Sequence, residues 1–421
     1  MKILLASIGT RGDMEPFLAL GEILQKQGHD IICLFPAQFR SLAEDSGFRF
    51  TSLGTAFIEM LDSKEGKAAL GGGGTGLQKM AAYIKLATRY KNINKELVEL
   101  QYKVIEEEKP DRIIHNGKMI YPILWGMKNK DCNILVYPMP YVMHYAKEHA
   151  HVAFDGDYGP FFNKLTYSIA SLGLVQTILS VAKQLKISDG ISRKKIKQAL
   201  FNGKTIYTIS PSLFSKPDYW DKHVKVLGYH ERDKTVNWTP DKALEDFVGK
   251  HDKILLVTFG SMTNPNPAEK TKMILDVLQK NGIPAIINTF AGGLVEPEAY
   301  DKNLIHFVSQ IPYDWAFPKM YGVVHHGGSG TSHMAVKYGC VSLIIPHIID
   351  QFLWNDILSK KGVGPKGPAI SKLKANVFQE KVLDLWQNKF YKENALKLSA
   401  QMQSENFGQE IIEMVEGKNG E

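Results

Sequence analysis

Val323-Val324-His325-His326-Gly327-Gly328-Ser329-Gly330-Thr331 is a short apolar run that breaks into glycines and resumes as an amphipathic stretch. A buried strand passing through a tight turn into a helix is half of a βαβ unit, which requires a parallel sheet. Glycines let the backbone approach a ligand closely, and the unpaired N–H groups and dipole at a helix start suit a diphosphate. Ser329, Thr331 and a histidine add side-chain donors. The same residues also suit a plain strand-to-helix turn with hydroxyl capping. Locally, both readings stand.

The pattern repeats on either side of this stretch. Apolar runs at 3–7, 31–35, 112–115 and 133–137 alternate with amphipathic segments. A second series runs through 253–259, 283–287, 304–308, 322–325 and 341–345. The expected class is therefore α/β, with two doubly wound domains. Residues 216–250 are rich in Pro, Asp, Lys and Trp and lack sustained periodicity, so the linker is expected there. We divide the chain into an N-terminal domain at 1–230, a linker at 231–250 and a C-terminal domain at 251–421. The helical stretch after 371 is free to return to the first domain. Ligands of such sheets bind beyond the carboxyl ends of the strands, which singles out the loops after 7, 259, 308, 325 and 345.

With 421 residues, 44% of them apolar and 23% charged, the chain can bury two cores without extensive disorder. Its 51 basic and 44 acidic residues give +7, an excess that reads as spread along the chain rather than gathered. That disfavours nucleic acid and leaves an anionic substrate or a membrane surface open. Cys33, Cys132 and Cys340 are odd in number and far apart, which argues against disulfides or zinc and for a reducing cytoplasm. The opening MKILLASIGTRGD is too short for a signal-peptide core, and no run nears eighteen uninterrupted apolar residues. We expect neither secretion by that route nor a membrane span.

Three further loops carry candidate chemistry. In Val257-Thr258-Phe259-Gly260-Ser261-Met262, Gly260 and Ser261 either meet a diphosphate or merely end a strand. In Pro346-His347-Ile348-Ile349-Asp350-Gln351, a carboxylate beside an amide suits vicinal sugar hydroxyls, though Asp350 equally suits an N-cap. Gly9-Thr10-Arg11-Gly12-Asp13-Met14-Glu15-Pro16 opens a helix with Pro16 expected in its first turn, and Asp13 is either its N-cap or a base. The G-x-G-x-x-G pattern at 71–76 follows no convincing strand and reads as a loop. Asp155 and Asp157 fall in an aromatic loop outside both strand series, a poor setting for a metal. His144, His149 and His151 read as solvated surface residues and His29 as structural.

Taken in order, GTRGDMEP, TFGSM, SQIPYDWAFP, HHGGSGT, IIPHIIDQ and GVGP resemble family-one inverting glycosyltransferases of the GT-B fold. The similarity is greatest to the branch with sterol glucosyltransferases and glycopeptide-antibiotic glycosyltransferases, and it covers essentially the whole chain. The resemblance implies two Rossmann-like domains facing across a cleft, the first binding the acceptor and the second a nucleotide sugar. It implies Asp13 as catalytic base, Gly260 and Ser261 near the donor phosphates, and Ile311 at the nucleobase. His325, Gly328, Ser329, Gly330 and Thr331 match the diphosphate site, and Asp350 with Gln351 matches the pair that holds the donor sugar. Many UDP-glucose-specific relatives carry a ribose-binding glutamate two residues after the position of Thr331. Here His333 stands there, leaving UDP- and dTDP-sugars both open. The implied reaction inverts the anomeric carbon with no metal and no cofactor beyond the nucleotide-sugar co-substrate. Donors around the leaving diphosphate stabilise its charge. The acceptor is expected to be a small apolar alcohol such as a sterol, terpenoid, polyphenol or macrolide. The competing readings are an epimerase or hydrolase of the same fold and a non-catalytic nucleotide-sugar or lipid-binding protein.

Overall fold

A computed structural model describes residues 1–63, 66, 76–154, 156–233, 238–264 and 266–417. The glycine pattern at 71–75 and Asp155 lie outside the described residues. The chain forms two compact units, one built on 1–62, 84–234 and 405–421, the other mainly on 235–404.

The first unit holds seven parallel strands: β1 (Lys2–Ala6), β2 (Asp30–Phe35), β3 (Arg49–Ser52), β4 (Arg112–Asn116), β5 (Asn133–Tyr137), β6 (Lys204–Tyr207) and β7 (Val224–Val226). Their order is β3-β2-β1-β4-β5-β6-β7. The second holds five: β8 (Leu255–Thr258), β9 (Ala285–Asn288), β10 (Ile305–Val308), β11 (Gly322–His325) and β12 (Val341–Ile344), in the order β10-β9-β8-β11-β12. The order reverses between β1 and β4 in one sheet and between β8 and β11 in the other. These are the switch points where doubly wound sheets open a crevice.

The sheet centres read from the sequence fall where expected, because strands covered on both faces are continuous Ile/Leu/Val runs. The edges differ. Strands β3, β6 and β7 carry few such residues, and β7 lies inside the expected 216–250 linker. The helix Lys242–Lys250 also lies there, started by Asp241, whose Oδ1 accepts the Leu244 N–H at 2.8 Å. Only the middle of that stretch is left to connect the units.

The last helix, Gly408–Glu416, belongs to the first unit. Ile411, Met414 and Val415 are buried in the core that holds Phe17, Leu24, Ile31 and Ile206. Ser210 and Ser212 both donate to Glu405 Oε1 at 2.7 Å, and Arg112 Nε donates to the Val415 carbonyl at 2.9 Å. His29 Nε2 lies 3.2 Å from Glu416 Oε1, which is the structural role expected of it. Truncating a fully buried Ile leaves a cavity as well as lost transfer energy, so Ile411→Ala is expected to cost about 2–5 kcal/mol. Calorimetric unfolding of the first unit should show this as a lowered Tm, and an unchanged transition would remove the helix from that core.

Candidate functional site

In the first unit the site begins where β1 ends. The Arg11–Gln25 helix has Thr10 as its N-cap, so Asp13 is not the cap but the third helical residue. Its carboxylate reaches back to accept the Thr10 N–H at 2.8 Å and the Thr10 hydroxyl at 3.3 Å, the return half of a capping box. Gly9, at φ +148°, makes this possible, since a Cβ there would stand 2.1 Å from Asp13 Oδ2. Pro16 sits inside the helix rather than in its first turn and supplies no N–H to the Gly12 carbonyl.

The second Asp13 oxygen takes an ion pair that the sequence did not suggest: Lys118 Nζ stands 2.7 Å from Oδ1. Lys118 follows β4, the other strand of the switch point. Asn116 ties the two strand ends together, donating from Nδ2 to Ser7 Oγ at 2.9 Å and to the Ile8 carbonyl at 3.0 Å. Its Oδ1 accepts the Lys118 N–H at 3.1 Å. The signal was in the topology: residues 105 apart become neighbours once β1 and β4 pair.

His144 and His149 are not surface residues, whereas His151 is half-buried. His144 is buried with Nδ1 2.9 Å from the Tyr207 hydroxyl, and burial lowers its pKa to about 4. His149 is buried and stacks on Tyr141 at 4.4 Å. Partial burial lowers the pKa of His151. They serve an aromatic core beneath the loop, together with Tyr167, Tyr207 and Trp220.

In the second unit the site sits where β8 and β11 end. Gly260 has φ +55°, and a Cβ on it would fall 2.8 Å from His326 Cε1. A Cβ on Gly328 would fall 2.5 Å from His326 Nε2. The imidazole of His326 is thus held between two glycine backbones, and a side chain at either position would displace it. Gly260→Ala is expected to combine backbone strain of about 1–3 kcal/mol with that clash. Urea denaturation checks it, and a wild-type midpoint would show that the ring moves aside at no cost.

Ser329–Lys337 is the helix that follows, with Gly328 as N-cap and Ser329 and Gly330 half-buried at its start. Thr331 is buried. His325 is fully buried in β11, and burial lowers its pKa to about 3. Its Nδ1 accepts the Gly327 N–H at 3.2 Å, so Nε2 carries the hydrogen, and that N–H has no partner among the described residues. His326 is pushed well below the usual range by burial and then by His325 and His347. His333 is buried against Trp354, and its Nδ1 donates to the Ser329 carbonyl at 2.8 Å. Burial lowers its pKa to about 4. The rings of His325, His326 and His333 are therefore neutral near pH 7, and the positive pole comes from the helix start.

In the third loop the helix Ile349–Lys360 begins at Ile348, so Asp350 is not its N-cap. Gln351 does that work: its Oε1 accepts the N–H groups of His347 at 2.7 Å and Ile348 at 3.2 Å. Its Nε2 donates to Met262 Sδ at 3.3 Å, so Gln351 is buried and committed within the loop, while Asp350 is half-buried beside it. Ser261 is exposed and Ile311 is buried. Among the described residues no group of three or more His, Cys, Asp or Glu side chains is arranged to hold a metal ion.

Comparison with known proteins bears on both halves. Residues 3–121 match the glycosyltransferase family 28 N-terminal domain, and residues 298–417 match the erythromycin biosynthesis protein CIII-like C-terminal domain. A sterol 3-beta-glucosyltransferase of Vanderwaltozyma polyspora is 25% identical over 95% of this chain and 33% of its own length. One from Arabidopsis thaliana is 26% identical over 96% of this chain and 64% of its own. The chain thus spans a third to less than two thirds of these relatives. Among solved structures, the calicheamicin glycosyltransferase CalG4 superposes with a TM-score of 0.70 at 15% identity, covering 99% of this chain and 97% of its own. The glycosyltransferase VinC, solved with dTDP, superposes with a TM-score of 0.68 at 13% identity, covering 99% and 100%. The chain is therefore similar to the glycosyltransferase family 28 N-terminal domain over residues 3–121 and to the erythromycin CIII-like C-terminal domain over residues 298–417, and its fold is that of the GT-B glycosyltransferases.

Proposed function

We propose that the chain is an inverting glycosyltransferase that moves a hexose, glucose in the first instance, from a nucleoside diphosphate to a hydroxyl of a small apolar acceptor. A sterol is the acceptor favoured by the relatives' own activity. The observation that carries the reading is a pairing within one chain. A carboxylate is fixed at the switch point of the first sheet, and a glycine-walled helix start with an unpartnered His325 N–H lies at the switch point of the second.

The roles follow from that chemistry. Gly260, Gly328, Ser329, Gly330 and Thr331 receive the diphosphate, whose oxygens supply the acceptor that His325 Nε2–H lacks. Asp350 and Gln351 hold the sugar, Gln351 after releasing Met262, and Ile311 borders the base. Asp13 takes the acceptor proton as the new bond forms opposite the leaving nucleotide, while donors around the diphosphate stabilise its growing charge. We assign no metal or further cofactor to the reaction and place it in the reducing cytoplasm, where Cys33 and Cys340 stay buried thiols.

The test is product formation. UDP-glucose and dTDP-glucose are each incubated with sterol, terpenoid, polyphenol and macrolide acceptors, and hexosylated product is sought by mass spectrometry. Product is expected with a UDP- or dTDP-sugar and undiminished by EDTA. Donor hydrolysis or epimerisation without any acceptor product would overturn the transferase reading, and a large EDTA loss restored by Mg²⁺ would overturn metal independence.

A further inference from the structure

Pro160–Gln184 is, among the described residues, the one helix long and apolar enough to cross a membrane by length and composition. One of its faces is packed against protein. Asn163, Thr166, Tyr167, Val175, Ile178, Val181 and Ala182 are buried against the first unit. Asn163 Nδ2 donates to the Lys147 carbonyl at 2.9 Å and to Asp157 Oδ1 at 2.7 Å, so that face is committed to protein.

The opposite face is what makes the helix so apolar. Phe161, Phe162, Leu165, Ile169 and Leu172 are each at least half exposed, Phe161 to 78%. Successive residues advance about 100° around a helix, which puts these five within one arc of about 100° running some 17 Å along the axis. Water-facing helix surfaces are polar, and an apolar stripe of this extent marks an interaction face.

Charge identifies what it meets. The chain's formal excess is +7, and residues 160–205 contain eight lysines and arginines against the single acid Asp189. That stretch accounts for the whole excess, so the basic residues are gathered rather than spread. The cations stand beside the stripe: Arg193, Lys194 and Lys197, from the neighbouring helix Arg193–Phe201, line an open pocket of ≈ 800 Å³ together with Leu172, Val175 and Gln176. None of the three makes an ion pair among the described residues. Aromatic and aliphatic side chains on one face with unpaired cations alongside form the pattern of a helix lying in a membrane interface.

We infer that this helix docks the first unit onto the surface of an anionic lipid bilayer, with the five apolar side chains entering among the acyl chains and the three cations meeting the headgroups. The inference is independent of the transferase reading, since it needs neither donor nor acceptor.

The test is sedimentation of the full chain with phosphatidylcholine vesicles, with and without phosphatidylserine, and with no nucleotide sugar present. The protein is expected to partition onto the phosphatidylserine vesicles and to leave them as salt rises. Near-surface cations contribute about fivefold each, so R193Q/K194Q/K197Q should lose about a hundredfold in affinity. F161S/F162S should lose at least about tenfold on both kinds of vesicle, and these two residues are exposed enough for circular dichroism to show an intact fold. L165S/L172S gives a second check on the same stripe. Absence of wild-type partitioning, or variants that bind as the wild type does, would overturn the inference. So would a wild-type dimer in sedimentation velocity that F161S/F162S converts to monomer, because the stripe would then be covered by a second copy of the chain.

Discussion

Asp13→Asn is expected to lower turnover of a nucleotide-sugar donor with a hydroxylated acceptor about 10²- to 10⁴-fold, the usual range for losing a positioned general base. The amide oxygen can still accept the Thr10 N–H, so the helix start survives and calorimetric affinity for the nucleoside diphosphate should not change. The substitution also ends the ion pair to Lys118, and that contribution must be separated from loss of the base. Lys118→Met does this, because it removes the pair and keeps the carboxylate. The lysine side chain is 51% exposed, so its pair is worth only about 0–1 kcal/mol, and the variant should lose far less than Asp13→Asn. Near-normal turnover by folded Asp13→Asn would leave Asp13 as half of a capping box and nothing more. Asp13→Ala would then cost about 0.5–2 kcal/mol of stability without a kinetic phenotype of its own. The histidines at 144 and 149 are poor substitutes for the base, since both rings are enclosed in the aromatic core.

What was legible in the sequence was what short-range patterning controls. Central strands such as β1, β4, β8 and β11 are apolar runs because both their faces are covered, and the glycine turn after β11 is visible in its composition. Strands β3, β6 and β7 were missed because KTIY and VKV are too short and too polar to stand out, and their pairing is settled by neighbours far along the chain. Site chemistry divides the same way. Asp13 could be found at the opening of a helix, but its exchange of cap with Thr10 depends on Gly9 at a positive φ, and its partner Lys118 comes only with the β1–β4 register. Gln351 reads as a sugar-binding amide in sequence, whereas the structure has it completing a helix start. The cationic stretch at 160–205 was legible throughout, since it needs only a local count of charges, and an average over the whole chain had hidden it.

Acidification should destabilise the second unit steeply, because four neutral imidazoles, those of His325, His326, His333 and His347, are locked around its glycine turn. Burial lowers the pKa of His325 to about 3 and of His333 and His347 to about 4, and it drives His326 well below the ordinary value. An unfolded histidine titrates near ~6.5, so below that pH the unfolded chain binds protons that the folded unit refuses. The stabilising contribution is therefore complete above about pH 6.5 and is lost progressively as pH falls toward the folded values. Each ring costs up to about 1.4 kcal/mol per pH unit, or about 2 kcal/mol at about pH 5. His325, His333 and His347 together reach about 6 kcal/mol, a large share of the ~5–15 kcal/mol that holds a typical domain. Carboxylates titrate lower and add little in this window. Scanning calorimetry at about pH 7.5 and about pH 5 should show the Tm of the second unit falling, with proton uptake on unfolding of at least about three near the lower pH. His333→Gln should remove about one of those protons and flatten the dependence, since its amide can still donate to the Ser329 carbonyl. A second transition that stays in place across this range, with no proton uptake, would mean that the rings are already protonated in the folded unit, and His325 and His326 would then face the diphosphate as cations rather than as neutral donors.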